Sequence, residues 1–157
     1  MVRRFRPRQT LGVREQLAHM QGMYPHFRCG VKGSVLFAEG AIRPTARSVA
    51  YKIRIEYRVG KPPDVYVLSP TLEPREPDGR LPHVYAGDRL CLYLPGADEW
   101  TSEMSLALTI VPWISEWLFF YETWRVLGVW LGGGVEPVRH KTIRIEEKEK
   151  LYEREHD

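Results

Sequence analysis

Covalent chemistry in this chain would fall to its two cysteines, Cys29 and Cys91. A thiolate is both a strong nucleophile and a good leaving group, so one such residue can accept an acyl group and later surrender it. A free thiol ionises near pH 8.5, so roughly a few per cent is thiolate at neutral pH unless neighbours help. Cys91 lies in Leu90-Cys91-Leu92-Tyr93-Leu94, between Gly87 and Pro95-Gly96, a loop setting that would leave it accessible. His83 and Arg89 could favour its charged form, and Tyr85 and Tyr93 could supply hydroxyl hydrogen bonds, although aromatic residues at a core edge more often pack. Taken by itself the same segment also fits a buried strand with cysteine as a small hydrophobe. Cys29, beside Gly30, reads as a structural thiol.

Other chemistries find less support. With neither a Cys-x-x-Cys nor a His-x-x-x-His pair, the five histidines and two cysteines do not spell a zinc site, and no metal or cofactor is expected. Gly132-Gly133-Gly134 has no Gly-Lys-Ser/Thr continuation, which argues against a phosphate-binding loop. A hydrolase pairing Cys91 with His83 or His140 is a rival to acyl transfer, and it would be told apart by transfer to water with no lysine-linked product.

The elements that must position these residues follow from periodicity. Thr10 as N-cap with Val13, Leu17 and Met20 on one face predicts a helix over 10–22. Val35 to Ile42 reads as a strand. Val49, Tyr51, Ile53, Ile55, Tyr57 and Val59 alternate with polar partners, which gives a second strand with one wet face. After Gly60-Lys61-Pro62-Pro63, Val65 to Leu68 makes a third, and three strands with short links predict an antiparallel meander. From Ser69 to Leu90, Pro70, Pro74, Pro77, Pro82, Gly79 and Gly87 forbid regular structure over about twenty residues, and loops of that length tend to be functional. Beyond it Leu106, Ile110, Trp113, Trp117, Phe120 and Trp124 recur at helical spacing, with Pro112 tolerable in a first turn begun near Thr109. That is the central core helix, and its tryptophan row reads as core. The chain carries no internal repeat.

Helix, meander, long proline-rich loop with a cysteine, then helix resembles the α+β ubiquitin-conjugating-enzyme fold, over residues 10 to 130. Pro62-Pro63-Asp64-Val65 resembles that family's Pro-Pro-Xaa-Val turn, Leu90-Cys91-Leu92 its Ile/Val-Cys-Leu triplet, Gly87 the preceding glycine and Trp100 the following tryptophan. The family's asparagine stands eight residues before its cysteine; here that position is His83. The resemblance implies that Cys91 carries an acyl group as a thioester. It implies also that His83 either donates to the oxyanion formed when an amine attacks, or takes a proton, which an amide cannot do. It further implies that Asp98 and Glu99, just before Trp100, orient or desolvate the incoming lysine; a solvated loop is the competing reading for both. The segment from His83 to Trp100 looks like a bacterial branch found in anti-phage cyclic-oligonucleotide signalling (CBASS) operons. That branch implies a particular cargo, the C-terminus of a cGAS/DncV-like nucleotidyltransferase. A non-catalytic binding module of the same fold is the alternative, although such variants typically lack the cysteine.

Size and charge bound the rest. A chain of 157 residues with 43% hydrophobic content holds one ordinary core, so residues 1–138 are expected to form one domain with a basic N-terminal arm, and 139–157 a charged tail. Of the first 32 residues seven are basic (Arg3, Arg4, Arg6, Arg8, Arg14, Arg28, Lys32) against one acid, Glu15. The arm could attract nucleic acid, an acidic protein or an anionic membrane, but a solvated terminus is the plainer reading, and neither nucleic acid nor membrane is expected as a partner. A basic first helix would suit an activating enzyme, which must supply any adenylation, since the chain has no nucleotide-binding signature. No secretory signal opens the sequence and the Leu106–Leu131 segment is broken by Glu116, Glu122, Arg125 and Pro112, so a cytoplasmic, reducing location is expected.

Overall fold

In the computed structural model, residues 9–76, 79–94, 97 and 99–137 are described; the basic arm through Arg8, Pro95-Gly96, Asp98, His140 and the tail 139–157 lie outside them. The architecture is α+β, with one four-stranded antiparallel sheet and two helices in the order α1 (Val13–Met23), β1 (Arg28–Lys32), β2 (Val35–Ile42), β3 (Tyr51–Tyr57), β4 (Asp64–Ser69) and α2 (Ile110–Leu127). The strands pair in sequence order, β1-β2-β3-β4, as a meander.

The sheet has one strand more than the sequence suggested. Its β1 pairs with β2 from Arg28 opposite Glu39 to Lys32 opposite Val35. Gly33, at φ +63°, makes the tight link that this register requires. As an edge strand of five residues, with Cys29 and Val31 its only apolar side chains, it carries almost no alternation to read. Alternation along β3 is as predicted, with Tyr51, Ile53, Ile55 and Tyr57 buried, but Val49 and Val59 lie beyond the paired segment and are exposed.

Thr10 does not cap α1. The helix starts three residues later, where the Glu15 carboxylate reaches back to accept the Gly12 N–H at 2.7 Å. Gln16, fully buried on its inner face, has its amide satisfied at both ends: Nε2 donates to the Met104 carbonyl (2.8 Å) and Oε1 accepts from the Leu106 N–H (2.9 Å). A buried amide without those partners would cost about 1–3 kcal/mol, so the pair locks α1 to the chain entering α2.

Thr109 stands at the N-cap of α2, and Pro112 falls in the first turn, where its missing N–H costs no helical bond. Ile110, Ile114, Trp117, Leu118, Tyr121 and Trp124 form the buried stripe, and they share one core with Leu36, Ala38, Ile53, Ile55, Tyr57 and Val65 of the sheet. The helix ends at Gly128 in the left-handed region, φ +77°. The long loop after β4 is pinned to this helix: the Tyr121 hydroxyl accepts from the Glu73 N–H (2.9 Å), and Arg125 bonds the Glu73 and Pro74 carbonyls and the Glu73 carboxylate. No helix among the described residues is long and apolar enough to cross a membrane.

Candidate active site

The loop's last segment folds back on itself. Cys91 N–H donates to the His83 carbonyl (3.0 Å), Val84 and Leu90 form a bridge, and Tyr85 N–H donates to the Arg89 carbonyl (2.7 Å). Gly87 (φ +78°) and Asp88 (φ +59°) turn the chain between them. This is a miniature antiparallel ladder in which 83 faces 91 and 85 faces 89. Alternation then sends His83, Tyr85, Arg89 and Cys91 to one side and the buried Val84 and Leu90 to the other. A further bond from Leu90 N–H to the Val65 carbonyl (2.9 Å) fixes the ladder to β4.

Cys91 is half-buried, and its thiol lines two adjoining cavities, of about 120 and 350 Å³, that both also touch His83, Leu92 and Gly133. The smaller is walled by Trp113, Trp117, Phe120 and Trp130; the larger reaches Tyr93, Glu99 and Val135. Burial pushes the thiol up, the Tyr85 hydroxyl pulls it down again, Glu136 pushes it up and Arg89 pulls it down. The net direction is upward. The thiol donates to the Tyr85 hydroxyl at 3.3 Å and lies 3.6 Å from the Tyr93 carbonyl.

His83 is 8% exposed and held at φ +48°, a conformation that costs a non-glycine residue about 1 kcal/mol or more. Contacts at its N–H, its carbonyl and its ring impose it. Its N–H donates to both Glu136 carboxylate oxygens (3.0 and 3.1 Å), its carbonyl accepts from Trp117 Nε1 (3.1 Å) as well as from Cys91, and its ring stacks on Trp130 with centroids 4.8 Å apart. Burial lowers the imidazole's proton affinity more than Glu136, 3.5 Å from Nε2, raises it. The ring is therefore neutral at pH 7, able to donate from one nitrogen and accept at the other.

The other sequence candidates divide. Tyr85 reaches the sulfur. Glu99 lines the larger cavity, but its carboxylate accepts the Leu94 N–H at 2.6 Å, which closes the loop after Cys91. Trp100 is 9% exposed, donates to Thr109 Oγ1 (3.1 Å) and packs edge-on against Tyr57, so it braces the loop from behind and lines neither cavity. Asp98 lies outside the described residues. Cys29 sits on the edge strand, remote in the sheet from this ladder, and burial raises its thiol.

Glu136, Trp130 and the glycines from 132 to 134 were not among the candidates. They come from the segment after α2, which returns over His83 through Gly134, whose absent Cβ would sit 3.7 Å from the imidazole Cε1. The Trp130 N–H is buried without a partner among the described residues. No group of three or more metal-ligating side chains occurs among the described residues.

Fold and ladder thus define an α+β protein that carries a half-buried thiol opposite a neutral imidazole. The family model for the Type II CBASS E2 protein matches residues 16–137, a span holding all four strands, α2 and most of α1, and the chain belongs to that family. It is accordingly a ubiquitin-conjugating-like protein of a bacterial antiviral system, in the transferase class. No curated protein matches the chain.

Proposed function

We propose that this protein is an acyl carrier with the ubiquitin-conjugating fold, in which Cys91 takes the C-terminal acyl group of a protein as a thioester and hands it to a lysine amine. Loading begins with attack of the Cys91 thiolate on an activated acyl donor; the carbonyl pair moves to oxygen and returns as the donor's leaving group departs. Discharge repeats the sequence with a neutral amine as nucleophile and the thiolate as leaving group, giving an isopeptide bond, while the amine's surplus proton passes to a base. His83 serves as oxyanion donor, or as that base in its neutral form. Glu99 borders the path by which the amine approaches. In this reading residues 1–138 are the carrier domain and 139–157 a charged extension.

One observation supports this reading above the rest: His83 and Cys91 are opposite partners in a two-stranded ladder and line the same two cavities. A carboxyl terminus entering either cavity meets the sulfur with an imidazole beside it. Membership in a CBASS family favours a cGAS/DncV-like nucleotidyltransferase as the cargo, with an activating enzyme supplying the acyl donor.

The test is co-expression with the genomic neighbours, followed by non-reducing electrophoresis and intact-mass measurement. A thiol-sensitive adduct on Cys91 is expected, its mass naming the cargo. Cys91→Ala abolishes it, and Cys91→Lys converts it to a thiol-resistant amide. Full biological function in Cys91→Ala would instead mark a non-catalytic module of the same fold, and release of free carboxylate without lysine-linked product a hydrolase.

A further inference from the structure

The thiol of Cys91 is desolvated, yet an acyl carrier needs it charged when it attacks and again when it leaves. Among the described residues one side chain hydrogen-bonds to it: the Tyr85 hydroxyl, at 3.3 Å. A hydroxyl has a donor and acceptor lone pairs on one rotatable bond, so the same oxygen that accepts from S–H can, after rotation, donate to S⁻. A donor to a charged acceptor forms a bond roughly twice as strong as a neutral one, so this reversal favours the ionised form.

The ring bearing that hydroxyl is itself held. The Arg89 guanidinium lies over the Tyr85 ring, 4.6 Å from its centroid, and donates to the Asp64 carboxylate at 2.7 Å. Asp64 opens β4, and Leu90 is bonded to Val65 beside it. The side chains thus run Asp64, Arg89, Tyr85, Cys91, from the sheet to the sulfur. A cation on the ring face makes the phenol a better donor and adds positive charge near the thiolate.

We infer that Tyr85 is a catalytic residue that stabilises the Cys91 thiolate by reversing its hydrogen bond, and that Arg89, anchored by Asp64, is a positioning residue that holds the ring in place for it. On ionisation the sulfur's proton passes to water or buffer base, and Tyr85 keeps its own proton throughout. The same O–H then supports the sulfur as it departs from the thioester. Its part in transfer rests on the acyl-carrier reading; its effect on the thiol does not.

The pH dependence of Cys91 alkylation by iodoacetamide tests the inference, followed on the full chain by intact mass and peptide mapping so that Cys29 is counted separately. Tyr85→Phe moves the midpoint of the profile upward and slows alkylation at pH 7 about three- to ten-fold, the worth of one hydrogen bond, while the rates converge above the midpoint. Arg89→Gln moves it the same way by less, and Arg89→Lys falls between. Replacing Tyr85 by 3-fluorotyrosine, a more acidic phenol of nearly the same shape, moves the midpoint downward and covers the case in which Tyr85→Phe does not fold. Superimposed profiles for the wild type and the fluorinated or Phe variant overturn the inference, as does a uniform slowing at every pH, which would mean altered access. Because no cargo takes part, a failure here leaves the thioester experiment standing, and the absence of a thioester leaves this profile to be read by itself.

Discussion

The His83 carbonyl accepts the Cys91 N–H at 3.0 Å, which makes an eight-residue spacing in sequence a direct cross-strand pairing in space. Residues facing each other in such a ladder share a side, so spacing and turn together decide that imidazole and thiol border the same cavities. Tyr85 and Arg89 follow by the same rule two pairs further in, past the bridge of Val84 and Leu90.

His83→Ala is expected to slow transfer from a loaded Cys91 by about a hundred- to a thousand-fold, the usual effect of losing an oxyanion donor. His83→Asn keeps a donor and retains more of the rate, so the ratio of the two in single-turnover discharge separates donor from base. Because burial lowers the folded imidazole below its ordinary 6.5, the ring stays neutral through the physiological range. The unfolded chain binds that proton more readily, so stability falls as pH drops below about 6.5, and either substitution should flatten that slope in melting curves.

Glu136 anchors the His83 backbone across 53 residues of sequence and raises its imidazole's proton affinity. Glu136→Gln is expected to lower the His83 titration midpoint further, as followed by NMR of the ring protons. Glu136→Ala frees the His83 N–H from its left-handed hold and should slow discharge about three- to ten-fold, the order of one lost hydrogen bond. A His83 midpoint that rises in Glu136→Gln would contradict the assigned contact.

Much of this is legible in the sequence. β2 carries the residues predicted for it, β4 extends the predicted one by a residue at each end, and α2 follows directly on the predicted Thr109, because apolar runs bounded by turn residues or repeating at helical spacing outweigh local ambiguity. β1 was not, since Gly30 and three exposed positions leave a five-residue edge without a pattern; the hairpin glycine, Gly33, was its only signal. At the site, Cys91 and His83 could be singled out through the family resemblance, which puts a functional residue eight positions before the cysteine. Glu136 and Trp130 could not: their contacts with His83 close a loop over the whole of α2, and no local periodicity encodes such a closure. Tyr85 was ambiguous because a phenol serves packing and hydrogen bonding alike, and only the distance to sulfur separates the two.

The Trp130 indole stacks on His83 while its N–H, buried beside the smaller cavity, has no partner among the described residues. An unpaired buried donor costs folding free energy, so Trp130→Phe, which keeps an aromatic face, should leave the melting temperature unchanged or slightly raised. If the N–H donates to a backbone carbonyl of the cargo tail, the same substitution raises the KM for the acyl donor about five-fold with little change in kcat, as loss of one hydrogen bond made equally in ground and transition states does. An unchanged KM would assign the Trp130 N–H no part in holding the tail.

On the outer face of the sheet Glu39 is 6% exposed and receives Arg28 (3.0 Å) and Arg54 (2.8 Å to Nε), with Lys52 at 4.0 Å. The Arg54 hydrogen bond is the largest influence holding its carboxyl below the ordinary 4.5. The sign follows: the folded state releases this proton more readily than the unfolded chain, so the contribution is present above pH 4.5 and is lost as pH falls through the lower folded value. The partner cations are themselves largely exposed, which screens the interaction, so Glu39→Gln should cost about 1 kcal/mol at pH 7 in urea denaturation. Wild type and variant should converge once acid has protonated the carboxylate in both states. Salt gives an independent check, because about 1 M chloride shortens the screening length to roughly 3 Å and should shrink the pH 7 difference without reversing it. A difference that persists undiminished in acid would mean that Glu39 acts through packing on the sheet and not through its charge.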